Sequence, residues 1–151
     1  MKRLAYHLRL RHLMYGYARL LQFAGLIDYS FRQRLAERQF TFVMTSRDNT
    51  TARYFSCAGG KLKSSVTPIP VDFKLIWRDN QTGGKIMLDM MRGKPKALYN
   101  AVLKGDLQLE GDAQTIGWYM KTSGRLEKVF RLKKKKKEAE TAGQPDTADE
   151  K

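Results

Sequence analysis

The amino-acid sequence predicts an α+β fold in which helices cover one face of a sheet. Three observations carry this. Apolar residues recur every three or four positions over 4–24, the period of an amphipathic helix. They recur every second position over 40–45 and again over 71–78, the period of a strand with one buried face. Beyond residue 85 the pattern switches from helix to strand and back to helix.

The first helix places Leu10, Leu13, Met14, Tyr17, Leu20, Leu21 and Ala24 on one stripe, with Arg9, Arg11, His12 and Arg19 on the other side. Gly25 reads as its stop. Phe31, Leu35 and Ala36 predict a short second helix capped by Ser30. Phe40, Phe42 and Met44 then alternate with Thr41, Val43 and Thr45 in a first strand. A turn cluster at 47–50 leads to a second strand, 52–57, rich in Tyr and Phe. Ala58-Gly59-Gly60 turns the chain into a third, 61–67, with Leu62, Ser64 and Val66 on one face. These three make an antiparallel meander, which Pro68 and Pro70 break.

Val71, Phe73, Leu75 and Trp77 alternate with Asp72, Lys74, Ile76 and Arg78 in the clearest strand of the chain. Residues 79–84 read as loop. Ile86, Met87, Met90 and Met91 make a short methionine-rich helix, and Pro95 opens another turn carrying Leu98, Ala101 and Val102. Leu103, Leu107 and Leu109 alternate with Lys104, Asp106, Gln108 and Glu110 as the last strand. Gly111 ends it, and Asp112 caps a final helix with Ile116, Gly117 and Met120 at helical spacing. Disorder is expected from about residue 134, because nothing there buries surface to offset chain entropy. The chain divides into a basic helical segment 1–37, a domain 38–132 and a charged tail 133–151.

The formal net charge of +14 calls for an anionic partner, whether nucleic acid, an anionic membrane surface or an acidic protein. The charge concentrates in the first helix and in Lys133–Lys137. The candidates for meeting a membrane surface are Arg9, Arg11, Arg19, Lys133, Lys134 and Lys135. The first helix has a second reading, in which its stripe packs on the domain's own sheet and its arginines are merely solvated. No run of about 18 apolar residues exists, so no transmembrane helix is expected. Arginines interrupt the N-terminal apolar stretch, which argues against a secretory signal, though an arginine-rich, acid-poor start also suits a mitochondrial presequence. The single cysteine, Cys57, excludes an internal disulfide and fits a reducing compartment. It reads as a small strand-borne side chain rather than a nucleophile.

Catalytic constellations are missing. There is no phosphate loop or dinucleotide fingerprint, and no Cys/His set has zinc spacing. Asp106, Glu110 and Asp112 are close in sequence but read as the solvated face of a strand and its turn. No enzyme activity, cofactor or metal is expected. What is present is a cluster of flexible, polarisable side chains. Met87, Met90, Met91, Leu98, Trp118 and Met120 are the candidate lining of an apolar pocket between helices and sheet, against the alternative of an ordinary filled core. Nucleic-acid binding is the competing function, with Tyr54 and Phe55 available to stack bases. Against it, the strands do not interleave Lys and Arg with aromatics.

The order strand, loop, short helix, Arg92-Gly93-Lys94, short helix, then Lys104-Gly-Asp-Leu-Gln-Leu-Glu-Gly-Asp112 and a last helix over 116–120 resembles the sterol carrier protein type 2 family. The resemblance covers roughly residues 38–127. A basic helical N-terminus before such a domain is also similar to bacterial ubiquinone-biosynthesis accessory factors. What the resemblance implies is a five-stranded, mainly antiparallel sheet with helices on one face enclosing an apolar pocket, and non-catalytic carriage of a fatty acyl, sterol-like or polyprenyl lipid. It further implies protein partners in lipid or quinone metabolism and a cytoplasmic place at the membrane periphery. The long N-terminal helix and the lysine run depart from the family's pattern, and no residue here selects sterol as ligand.

Overall fold

A computed structural model of the chain describes residues 2–94 and 96–143. The elements are α1 (Lys2–Ile27), α2 (Tyr29–Ala36), β1 (Phe40–Ser46), β2 (Ala52–Ala58), β3 (Lys61–Ser65), β4 (Phe73–Trp77), α3 (Asn80–Met91), α4 (Ala97–Leu103), β5 (Leu107–Gly111) and α5 (Ala113–Ala142). The strands form one sheet in the order β3-β2-β1-β4-β5. β1–β2, β2–β3 and β4–β5 are antiparallel, while β1–β4 is parallel. The sheet is therefore mixed and mainly antiparallel. A period of two fixes which side chains share a face but not the direction of the neighbouring strand, so the parallel pair is a tertiary result.

The register puts Phe42, Phe55, Phe73 and Leu75 on one face, under the helices. Lys74, Gln108 and Glu110 point to water on the other. The helix α1 is central to the helical layer. It packs against α3, α2, α5 and the β2–β3 side of the sheet. Its buried stripe of Leu10, Met14, Tyr17, Leu21 and Ala24 belongs to the same hydrophobic cluster as the sheet. The segment that the sequence sets before the domain is thus built into the domain's core, and the packing reading of that stripe holds.

Several boundaries differ from the sequence expectations, each for a local reason. The helix α1 passes through Gly25, which is buried against Leu35, and ends at Ile27. Asp28, not Ser30, caps α2 by accepting a hydrogen bond from the Phe31 N–H at 2.9 Å. Residues 80–84 are helix rather than loop, because Asp79 caps α3 at 2.7 Å and Gly83 lets the helix lie on the Trp77 side chain. Leu103 closes α4 at 68% exposure and is not on the sheet. The strand pattern began there because a two-residue period matches by chance across the 103–106 turn. The final helix continues to Ala142, through the lysine run where disorder is expected. Lys, Glu and Ala are strong helix formers, and a helix already nucleated by packing propagates along them. Pro95 and 144–151 lie outside the described residues.

Candidate functional site

The helix-covered face of the sheet carries an aromatic ladder. Phe55, Phe42 and Phe73, from β2, β1 and β4, stack with ring centroids 4.6 and 5.1 Å apart and nearly parallel planes. Phe40 stacks on Phe42 at 5.9 Å. Three adjacent strands each present Phe at the same register level, so the ladder follows from pairing alone. Tyr119 of α5 leans on Phe42 and Phe73 at 5.0 and 5.2 Å. Tyr17 of α1 meets Phe55 edge-on at 6.4 Å. Above the ladder the two tyrosine hydroxyls share a hydrogen bond of 2.8 Å. Burial, with Tyr17 adding to it, raises the Tyr119 pKa well above the usual phenol value, so its hydroxyl stays neutral. The arrangement is a packed apolar core, filled by the protein's own side chains, with a hydroxyl pair above the ladder.

The six residues expected to line a pocket fall into two groups. Met87, Met90 and Leu98 are buried in the core, on α3 and α4. Half-buried Met91 reaches across to Gly16, where an added Cβ would meet its methyl at 3.2 Å, so α3 sits close on α1. Trp118 and Met120 are half-buried on α5, packed against the core. Trp118 lies edge-on to Phe40 at 4.8 Å, under the Arg34 guanidinium at 5.9 Å, and its Nε1 donates to Glu37 at 3.4 Å. The helix α3 packs mainly on α1 and α4, while α5 packs on α2, α1 and β5. Helix α1 thus meets both groups. The tyrosine pair was missed from sequence, although a signal existed. A tyrosine on a buried helical stripe must hydrogen-bond its hydroxyl somewhere.

Other candidates separate. Asp106 pairs with Arg78 at 2.8 Å. Glu110 accepts from Gln108 at 2.8 Å, and Asp112 caps α5 through the Thr115 N–H and hydroxyl. The three carboxylates each serve a local bond. A charged cleft of about 400 Å³ between α3 and α4 is largely neutralised from within, by Arg78–Asp106 and by Lys94–Asp89 at 3.6 Å. His7 shares a 2.6 Å hydrogen bond with Thr51, which donates to Asn80, and so ties α1 to the β1–β2 connection and α3. Among the described residues no His, Cys, Asp and Glu group has the form of a metal site. Cys57 is buried, with its thiol pushed up to about 11 by burial. Phe55 is wholly buried in the ladder, so it cannot stack a base beside Tyr54. Arg9, Arg11 and Arg19 are exposed on α1, and Lys135 on α5, while the side chains of Lys133 and Lys134 lie outside the described residues. No described helix is long and apolar enough to cross a membrane.

No protein-family model and no curated protein matches the chain. Solved structures do. A structure titled UbiJ-SCP2 ubiquinone synthesis protein aligns with a TM-score of 0.54 at 14% identity, over 74% of this chain and 92% of that one. The crystal structure of a sterol carrier protein 2 aligns at 0.51 and 17% identity, over 79% and 93%. The sterol carrier protein domain 2 of Helicoverpa armigera aligns at 0.52 and 11% identity, over 76% and 88%. At these identities the likeness is one of fold. With a five-stranded mixed sheet, helices over its apolar face and these structural neighbours, the chain has an SCP2-like fold.

Proposed function

We propose that the protein binds and carries an apolar lipid, of fatty acyl, sterol-like or polyprenyl chemistry, which enters the apolar core between the Phe42 ladder and the helices. The observation behind this is the Tyr17–Tyr119 hydroxyl pair over three stacked phenylalanines. A hydrocarbon that displaces these side chains gains burial, at about 25 cal/mol per Å² of apolar surface, and the hydroxyl pair offers a hydrogen bond to one polar end. Met87 and Met90, unbranched and flexible, repack around a guest at least cost; Leu98 belongs to the same core, Trp118 and Met120 pack against it, and half-buried Met91 lies beside them on α3 against Gly16. The role is that of a carrier rather than an enzyme, accessory to lipid or quinone metabolism. The fold shared with a structure titled a ubiquinone synthesis protein supports the quinone branch.

The carrier works in the cytoplasm at an anionic membrane, held there by the basic face of α1, with Arg9, Arg11 and Arg19, and by Lys133–Lys135 of α5. Each basic residue near such a surface contributes about 1 kcal/mol. Lipid extraction of the purified protein followed by mass spectrometry is the direct test. A single lipid class at near-equal molar ratio, together with saturable uptake of a fluorescent fatty acid, is expected. Neither lipid nor uptake would end the proposal.

A further inference from the structure

The groove between α1 and the β2–β3 side of the sheet gathers cations without a carboxylate. Two clefts of about 340 Å³ each meet there and share Tyr15 and Arg53. One adds Arg11, and the other adds Arg19 and Lys63. The sequence places Arg11, Tyr15 and Arg19 four residues apart, on one helical ridge. Arg53 comes from the sheet. It pairs in register with Met44 and so stands on the helix-covered face, where its Nε donates to Ser64 at 3.0 Å. Its guanidinium lies over the Tyr15 ring at 5.0 Å, and that of Arg19 lies over it at 5.3 Å.

Arg19 spends its fork on a neutral group. Its Nε and Nη2 both donate to the Tyr15 hydroxyl, at 3.0 and 2.8 Å. In paired arginines that fork grips an oxyanion. No salt bridge among the described residues engages Arg11, Arg19, Arg53 or Lys63. Burial pulls the Arg53 pKa down and Arg11 adds to this, with Tyr15 opposing. Arg53 is thus a partly desolvated cation that no carboxylate faces in the two clefts.

The same helix exposes apolar side chains to water, with Leu4 at 64%, Leu8 at 43% and Leu26 at 76%. Leu8 lines the first of the two clefts. A soluble anion or a nucleic-acid strand gives these leucines nothing to bury against. A bilayer does, since an interfacial helix sinks its apolar side chains just below the headgroups and leaves its cations at phosphate level.

We propose that this groove is a phosphate site for the headgroups of an anionic bilayer, with Arg11, Arg19 and Arg53 as the grip and Tyr15 as the floor. The inference rests on the membrane half of the proposed function and gives it an address. It also brings in Arg53, a residue from the sheet that the helix alone does not supply.

The test is flotation of the full chain with phosphatidylcholine vesicles, with and without phosphatidylglycerol. R19Q/R53Q and R11Q/R19Q are compared with K74Q/K104Q, which removes equal charge from the open sheet face and from the end of α4. R11Q/R19Q changes only exposed side chains, so it serves even if R19Q/R53Q fails to fold. Each groove pair is expected to weaken binding to the anionic vesicles by about 25-fold, at about 5-fold per charge. The control is expected to lose less than about 3-fold, since charges held away from the surface are screened. Fluorescent fatty acid uptake stays unchanged in all three variants. Equal losses in groove and control variants, or none in the groove variants, overturn the site. So does saturation of the groove by micromolar inorganic phosphate without vesicles, read by tyrosine fluorescence, or loss of single-stranded DNA binding with flotation intact. Failed uptake with normal, groove-dependent flotation would sink the carrier reading and leave this one standing.

Discussion

The hydroxyls of Tyr17 on α1 and Tyr119 on α5 meet at 2.8 Å across 102 residues of sequence. This bond ties the first helix to the last above the phenylalanine ladder. Tyr119→Phe deletes it and keeps the ring that rests on Phe42 and Phe73. A loss of about 1–2 kcal/mol is expected in urea unfolding, with an unchanged dependence on denaturant.

The same residue sets an alkaline limit. Burial raises the folded Tyr119 pKa well above 10.0. The unfolded phenol therefore gives up its proton first. The contribution is whole below about pH 10 and falls as pH rises beyond it, by about 1.4 kcal/mol per pH unit. The stability gap between the native chain and Tyr119→Phe should narrow between about pH 10 and 11. A constant gap would contradict the buried, neutral phenol.

Cys57 should be slow to label. Its thiol faces the Leu35 carbonyl at 3.8 Å, and burial pushes its pKa up to about 11. Thiolate is then scarce at neutral pH, and reaction with a disulfide reagent should run about 10²-fold slower than for a free cysteine. Urea at the unfolding midpoint should remove the protection. Because the folded pKa is raised, this residue too contributes stability that is present at lower pH and lost as pH rises toward 11.

Two glycines rank by what surrounds them. Gly111 has φ +126°, and a Cβ there would meet the Asp72 carbonyl oxygen and sit 2.6 Å from Phe73 Cα. Gly111→Ala should cost at least about 2 kcal/mol. Gly83→Ala places a Cβ 2.8 Å from Trp77 Cγ, but gains about 1 kcal/mol of helix propensity against an overpacking cost of about 1–3 kcal/mol. Thermal unfolding should show the larger fall in Tm for Gly111→Ala.

Asp79 caps α3 by accepting from the Thr82 N–H at 2.7 Å. Asp79→Ala should cost about 1 kcal/mol in denaturant unfolding. Burial pushes its pKa up, but the Thr82 N–H and hydroxyl and the Arg78 guanidinium outweigh this and hold it below 3.8. The cap is therefore at full strength above the ordinary carboxylate value and weakens as pH falls through the folded one. The difference between native chain and variant should close in acid.

Much of the fold is legible in the sequence. The buried stripe of α1, the alternation of β1 and β4, the methionine face of α3 and the Asp112 cap all appear where the residue pattern puts them. The errors lie at ends. Leu103 continued a period that the chain had already left, and Gly83 read as a loop residue because its partner Trp77 is visible only in three dimensions. The candidate site was less legible. The methionines were found from composition, but Tyr17, Tyr119 and the phenylalanine ladder sit on separate elements, and no local spacing links them.

The sequence by itself determined which side of each element is apolar, that Asp112 caps the last helix, and that positive charge gathers on α1. These are local properties, set by a period of two or 3.6 residues and by the residue at each end. The tertiary structure alone decided that β4 lies parallel beside β1, that Tyr17 finds Tyr119, and that Arg53 joins Arg19 over Tyr15. Each brings together residues more than 30 positions apart. Such contacts depend on strand order and on the helix laid across the sheet, which no local period encodes.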